Sequence, residues 1–154
     1  MSEDNIDRIE SIMVNPVETV KPTDLVEHAL RKMVEKNVGC IVIAEAGKLL
    51  GIITERDISR SIIENPQTLK STVDRMMSSP VIFLSPVAPI GEAMETMLSY
   101  GIRRLPVIEE GKIVGIVTDR DLLRWIVKIA NEPRIPPEIQ EILKSPLASK
   151  TQNR

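Results

Sequence analysis

Gly51-Ile52-Ile53-Thr54-Glu55-Arg56-Asp57 returns 64 residues later as Gly115-Ile116-Val117-Thr118-Asp119-Arg120-Asp121. Self-similarity at a fixed period marks a repeated structural unit, so the register is worth extending outward from this motif. It extends without a gap. Residues 9–63 laid on 73–127 give 16 identities in 55 positions, among them Met13/Met77, Pro16/Pro80, Pro22/Pro86, Ala29/Ala93, Met33/Met97 and Gly47/Gly111. Ordinary composition would give about three or four. The chain of 154 residues is a tandem duplication.

Both copies carry the same pattern of elements. In the first, Thr23-Asp24 open a segment whose apolar residues Leu25, Val26, Ala29, Leu30, Met33 and Val34 fall at helical spacing, and Gly39 closes it. The counterpart runs from Pro89 through Ile90, Ala93, Met94, Met97 and Leu98 to Gly101. A β-rich pair follows, Cys40 to Ala44 and Leu49 to Ile53 around a turn at Glu45-Ala46-Gly47-Lys48; the second copy has Leu105 to Ile108, then Ile113 to Val117. Each pair feeds a helix opened by Thr54 or Thr118. The expected class is therefore α+β, with two β-α-β-β-α repeats at 8–66 and 67–130. Glu64 to Lys70 reads as a linker, and Ser71 to Met77 as a short lead-in helix matching Ile6 to Met13. Residues 131–154 read as a Pro-containing extension with one short helix, Glu138 to Lys144, and a polar tail. A copy of about 55 residues with a three-stranded sheet is too small to be comfortable alone, so the copies are expected to share one core.

Composition excludes several classes. Hydrophobic residues at 42% and charged residues at 27% are those of a globular chain rather than a disordered one. A formal charge of -2 gives no global field for phosphate neutralisation, and 2% aromatics are too few for base-stacking platforms, so nucleic acid is not an expected partner. One cysteine, Cys40, and one histidine, His28, leave no disulfide, Cys/His zinc site or Cys-x-x-Cys centre. Met1 to Asn5 lack a signal-peptide pattern and no apolar stretch is long enough to span a membrane, so a cytoplasmic protein is expected.

The doubled Gly-hydrophobic-hydrophobic-Thr-x-Arg-Asp motif, Arg104-Leu105-Pro106-Val107-Ile108 with Gly111 in the next turn, and the Pro16/Pro80 lead-ins resemble a tandem pair of CBS domains. This regulatory module is named after cystathionine β-synthase, and the resemblance covers about residues 8–130. It implies two repeats, each a small sheet packed on two helices, related by a pseudo-twofold axis. Two clefts between them would bind adenosyl compounds such as AMP, ADP, ATP or S-adenosylmethionine. One cleft would combine Thr118, Arg120, Asp121 and Ile116 with Met13, Val17, Glu18 and Val38 near adenine and Arg104 at the phosphates. Its mate would combine Ile52, Thr54, Arg56 and Asp57 with Met77, Val81, Ile82 and Ile102. Ordinary core packing is an equal reading for Met13, Met77, Val17 and Val81.

The residues have a chemistry of their own that suits such a site. A hydroxyl at a helix start, followed by unpartnered backbone N–H groups, is an anion seat favoured by the helix dipole, and Thr54 and Thr118 occupy that place. Asp57 and Asp121 can accept two hydrogen bonds from a ribose diol, while Arg56 and Arg120 bring planar forks suited to phosphate. Thr-x-x-Asp is equally close to a capping box, which satisfies orphan donors for about 1 kcal/mol, and the two arginines could be solvated helix residues.

The copies differ where the second repeat has Arg103-Arg104 and the first has Gly39-Cys40. The Asp121 cleft is therefore expected to be the stronger and to prefer phosphorylated ligands, unless both arginines face solvent. Catalysis finds little support. His28 lies off the apolar stripe, Cys40 opens an apolar strand without a histidine partner, and no Gly-rich phosphate loop is present. The expectation is a non-enzymatic adenine-nucleotide sensor that signals to an effector protein and self-associates as a homodimer. The competing reading is a ligand-independent dimerising module; a hydrolase using Asp57 or Asp121 is a distant third.

Overall fold

The computed structural model describes residues 7–131. Nine regular elements follow one another: β1 (Thr19–Val20), α1 (Val26–Lys36), β2 (Cys40–Glu45), β3 (Lys48–Thr54), α2 (Glu55–Glu64), α3 (Ile90–Tyr100), β4 (Arg104–Glu109), β5 (Lys112–Thr118) and α4 (Asp119–Ala130). The architecture is α+β in two repeats. The helix expected over Glu138 to Lys144 lies outside the described residues.

The apolar stripes do what their spacing predicts. Val26, Ala29 and Met33 of α1 and Ile90, Ala93 and Met97 of α3 are buried at matching positions. The stop signals are only partly those expected. Gly101 ends α3 in the left-handed conformation at φ 63°, but α1 ends two residues before Gly39, on Asn37 at φ 52°. Asparagine tolerates that region because its short side chain can hydrogen-bond locally. Asp24 does not cap α1 either; its carboxylate accepts from the Lys21 N–H at 2.8 Å and closes the preceding turn. Part of the expected linker is ordered as a 3-10 turn, Pro66–Lys70, begun by the Asn65 side chain.

Both hairpins are antiparallel, with Cys40 opposite Thr54 and Arg104 opposite Thr118, and both close through two left-handed residues. These are Ala46-Gly47 at φ 50° and 79°, and Glu110-Gly111 at φ 47° and 76°. This is the turn whose twist matches that of the strands, and glycine supplies its second position without strain.

The sheets are not equal. β1 pairs parallel with β2, Thr19 opposite Val42, and the Val42 N–H donates to the Glu18 carbonyl at 3.2 Å. In the second repeat the equivalent of Val42 is Pro106, which has no N–H to give. The expected third strand there shrinks to one bridge, Leu84 with Val107.

The single shared core expected from repeat size resolves into two clusters, each completed by the other repeat. Val20, Val26, Met33, Ile41, Ile43, Ile53 and Ile58 form one with Val73; Leu84, Ile90, Met97, Leu105, Val107, Val117 and Leu122 form the other with Ile9. The backbone follows the same exchange. Ile9 N–H donates to the Ala88 carbonyl and Ile90 N–H to that of Asp7, while Val73 donates to Asp24 and Val26 to Ser71, all at 2.8–2.9 Å. Met13 then lies over Gly115 and Met77 over Gly51. Val14 bridges Ile116 on β5, and Ser78 bridges Ile52 on β3. Each lead-in thus belongs to the opposite repeat before crossing to its own.

Candidate functional site

The crossing points leave two grooves between the repeats. One, of about 530 Å³, has Val17, Thr19 and Ala44 of the first repeat facing Ile113 and Val114 of the second. The other, of about 440 Å³, has Val81 and Phe83 facing Leu49 and Leu50. Val17/Val81, Ile113/Leu49 and Val114/Leu50 are all 64 residues apart, so the grooves are counterparts. They lie toward the hairpin turns, whereas Thr54 and Thr118 end their strands at the opposite end. Ile113, Val114, Leu49 and Leu50 were not among the residues singled out from sequence; their position on the strand carrying the motif was the available signal.

At the strand ends, the helix mouths are built by the capping arrangement. Thr54 Oγ1 accepts from the Asp57 N–H at 3.2 Å, and Asp57 Oδ2 accepts from the Thr54 N–H at 3.1 Å and its hydroxyl at 2.6 Å. In α4 the corresponding distances are 3.4, 2.9 and 2.6 Å around Thr118 and Asp121. One carboxylate oxygen of each Asp is thus spent on its own helix. The other differs between copies. Asp121 is buried, and its Oδ1 accepts from Arg124 Nη1 at 3.1 Å. Asp57 Oδ1 accepts no hydrogen bond among the described residues, although Arg60 stands where Arg124 stands in the second copy. Sequence reasoning missed Arg124; its i, i+3 spacing from Asp121 was the signal.

The arginine pair divides. Arg103 Nε donates to Asp119 Oδ2 at 2.7 Å from a side chain that is 72% exposed. Arg104 crosses to the first repeat, where its guanidinium lies so close over Gly39 that a Cβ there would meet Nη2 at 2.6 Å and Glu55 Oε2 at 3.7 Å. A side chain at 39 would displace the tip of the Arg104 side chain from this position. Arg56 and Arg120 are exposed.

The expected adenine neighbours are dispersed. Val17 and Val81 line the two grooves. Met13, Ile82 and Ile102 pack half-buried on the second core, and Met77 and Val38 on the first. Glu18 is not brought to the groove face with Val17 and Thr19, because successive residues of an extended chain point oppositely. Its carboxylate turns toward α1, 3.3 Å from Lys32 Nζ and 3.8 Å from Lys36 Nζ.

His28 is exposed, its Nδ1 3.8 Å from Asp24 Oδ2. Cys40 is buried, and burial pushes its thiol up to about 11 against the opposing pull of Arg104. Thiolate supply in the folded chain is then lower by about a hundredfold, and Ellman's reagent at pH 8 should react with Cys40 slower than in the unfolded chain by about that factor. The same shift means stability that is intact below pH 9 and is lost as pH rises toward 11, by about 2–3 kcal/mol. Urea midpoints at pH 8 and 10.5 check this, and Cys40→Ala should remove that part of the pH dependence.

A family model described as CBS domain matches residues 9–64 and again 73–128. The chain belongs to the CBS domain family. Its two repeats form a CBS pair like those of solved structures. A crystal structure of an uncharacterised conserved protein from Pyrococcus horikoshii is 34% identical with a TM-score of 0.71, over 78% of this chain and 92% of that one. The CBS domain pair of protein MJ0100, solved in complex with 5-methylthioadenosine and S-adenosyl-L-methionine, is 27% identical with a TM-score of 0.73, over 79% of this chain and 97% of that one. Among curated relatives, an uncharacterised protein of Methanopyrus kandleri is 35% identical over 82% of this chain, and the match spans 63% of that relative's length. No helix of the CBS pair among the described residues is long and apolar enough to cross a membrane.

Proposed function

We propose that this CBS pair is a cytoplasmic regulatory module that senses an adenosyl compound between its repeats and passes the bound state to a partner protein without catalysing a reaction. The ligand class is AMP, ADP or ATP, with S-adenosylmethionine as the alternative. The observation that carries the reading is the duplicated Thr-x-Arg-Asp helix mouth, each copy at the end of a strand that also walls an inter-repeat groove. The nucleoside complex of the MJ0100 pair supports the ligand class. Thr118, Arg120, Asp121 and Ile116 serve one cleft with Val38, and Thr54, Arg56, Asp57 and Ile52 the other with Ile102, while Val17 and Val81 line the grooves at the other end of the same strands. Arg104 starts opposite Thr118 and reaches over Gly39 to the α2 mouth. A ligand held by both repeats favours the arrangement it fits best, by no more than its difference in affinity for the two states.

The capping geometry favours a second reading, a dimerising module that needs no ligand. Val34 and Leu98 are exposed at equivalent helical positions, as are Ile63 and Val127, leaving matched apolar patches that a second copy would cover. Homodimerisation belongs to both readings, so oligomeric state does not separate them. Thermal unfolding with AMP, ADP, ATP and S-adenosylmethionine does. A ligand at 100 times its Kd should add about 2.7 kcal/mol. No shift with any of the four favours the second reading.

A further inference from the structure

We infer that the two helix mouths load in a fixed order, the Asp57 mouth first, with Arg124 acting as a latch on the Asp121 mouth. This rests on the ligand reading above and reverses the order expected from sequence, where Arg103 and Arg104 pointed to the Asp121 cleft.

The α4 mouth is satisfied from within. Both of its acidic residues hold an arginine of their own repeat, Asp119 with Arg103 at 2.7 Å and Asp121 with Arg124 at 3.1 Å. Asp121 is only 7% exposed, and Thr118 fills its other oxygen. A ribose hydroxyl arriving there competes with Arg124 for Oδ1, and a phosphate competes with Asp119 for Arg103. The α2 mouth is built otherwise. No ion pair of Glu55 or Asp57 forms among the described residues, and Asp57 keeps Oδ1 open while Oδ2 holds the cap. The Arg104 guanidinium, delivered across from β4, lies over Gly39 beside Glu55, the first residue of α2. Among the described residues, a carboxylate oxygen without a donor and a guanidinium without an ion pair thus flank the first turn of α2. That is the combination a phosphorylated nucleoside uses, diol on carboxylate and phosphate on guanidinium. Arg104 is then a specificity determinant of the first-loaded site, and Arg124 sets the gap between first and second binding.

Calorimetric titration of the full chain with AMP and with S-adenosylmethionine tests this. Asparagine keeps an oxygen for the cap and places NH2 where the ligand needs an acceptor, so Asp57→Asn and Asp121→Asn are the informative pair. The expected result is two phases in the unaltered chain, the tight one lost at least tenfold in Asp57→Asn and the weak one lost in Asp121→Asn. Arg124→Gln changes an exposed side chain and neither cap; it should tighten the weak phase at least threefold. Loss of the tight phase in Asp121→Asn, equal losses in both, or no gain in Arg124→Gln overturns the inference while leaving ligand binding in place. No heat from either compound with the unaltered chain removes the functional reading and this inference together.

Discussion

Ile9→Ala is expected to lower unfolding stability by about 2–5 kcal/mol, the range for truncating a fully buried large aliphatic side chain. Ile9 has no exposed surface and lies in the second repeat's core, although its chain continues into the first repeat's sheet. Trp125 packs against that same core, 116 residues away in sequence, and reports on it by fluorescence. The urea midpoint followed by Trp125 emission should fall in Ile9→Ala by as much as the midpoint followed by backbone circular dichroism. Val73→Ala removes the corresponding side chain from the other core and should lower stability with the native Trp125 emission unchanged. If Ile9→Ala leaves the Trp125 transition where it was, the exchange of lead-ins is wrong.

The second large effect is expected at Gly51. A Cβ there would stand 2.7 Å from Met77 Cγ and 2.9 Å from Met77 Cβ, closer than carbon atoms approach without movement. Met77 cannot simply swing away, since Ser78 beside it is held by reciprocal backbone hydrogen bonds with Ile52 at 2.9 and 3.2 Å. Gly51→Val should therefore destabilise by about 3 kcal/mol, the upper range for overpacking, despite the better strand propensity of valine. Gly115→Val should behave alike, because Met13 Cγ would lie 2.9 Å from its Cβ. Combining Gly51→Val with Met77→Ala should return part of the loss, and a double-mutant cycle in urea measures it. Additive losses would show that the glycine is there for another reason.

Most of the architecture was legible because the chain states it twice. A period of 64 residues fixed the order of elements, and helical spacing at Val26, Ala29 and Met33 fixed the buried face of α1. What escaped was set by contacts between copies, which a one-dimensional register does not carry. Ile9 and Val73 look like the starts of their own repeats, yet their burial is decided by Ala88 and Asp24 carbonyls in the opposite ones. The missing third strand of the second repeat was visible in principle, as Pro106 where Val42 stands, but its meaning depends on knowing which N–H the parallel ladder uses. At the mouths, Thr-x-x-Asp gave both a cap and a ligand acceptor as readings. The cap takes Oδ2 of Asp57 and leaves Oδ1 without a donor among the described residues, while on Asp121 the second oxygen goes to Arg124. Charge counting favoured the mouth richer in arginine; geometry sends one of those arginines across to Gly39 and pairs the other with Asp119.

The meeting of Arg104 with Gly39 and Cys40 carries one more consequence. Arg104 and Cys40 are the same position of the two repeats, and they face each other where the repeats meet. Two separate identical subunits in this geometry would have to bring the same side chain twice to that point: a pair of guanidiniums repelling at close range, or a pair of inert thiols. Fusion into a single polypeptide lifts that constraint, so one half can supply a cation and the other the small, dry floor on which it rests.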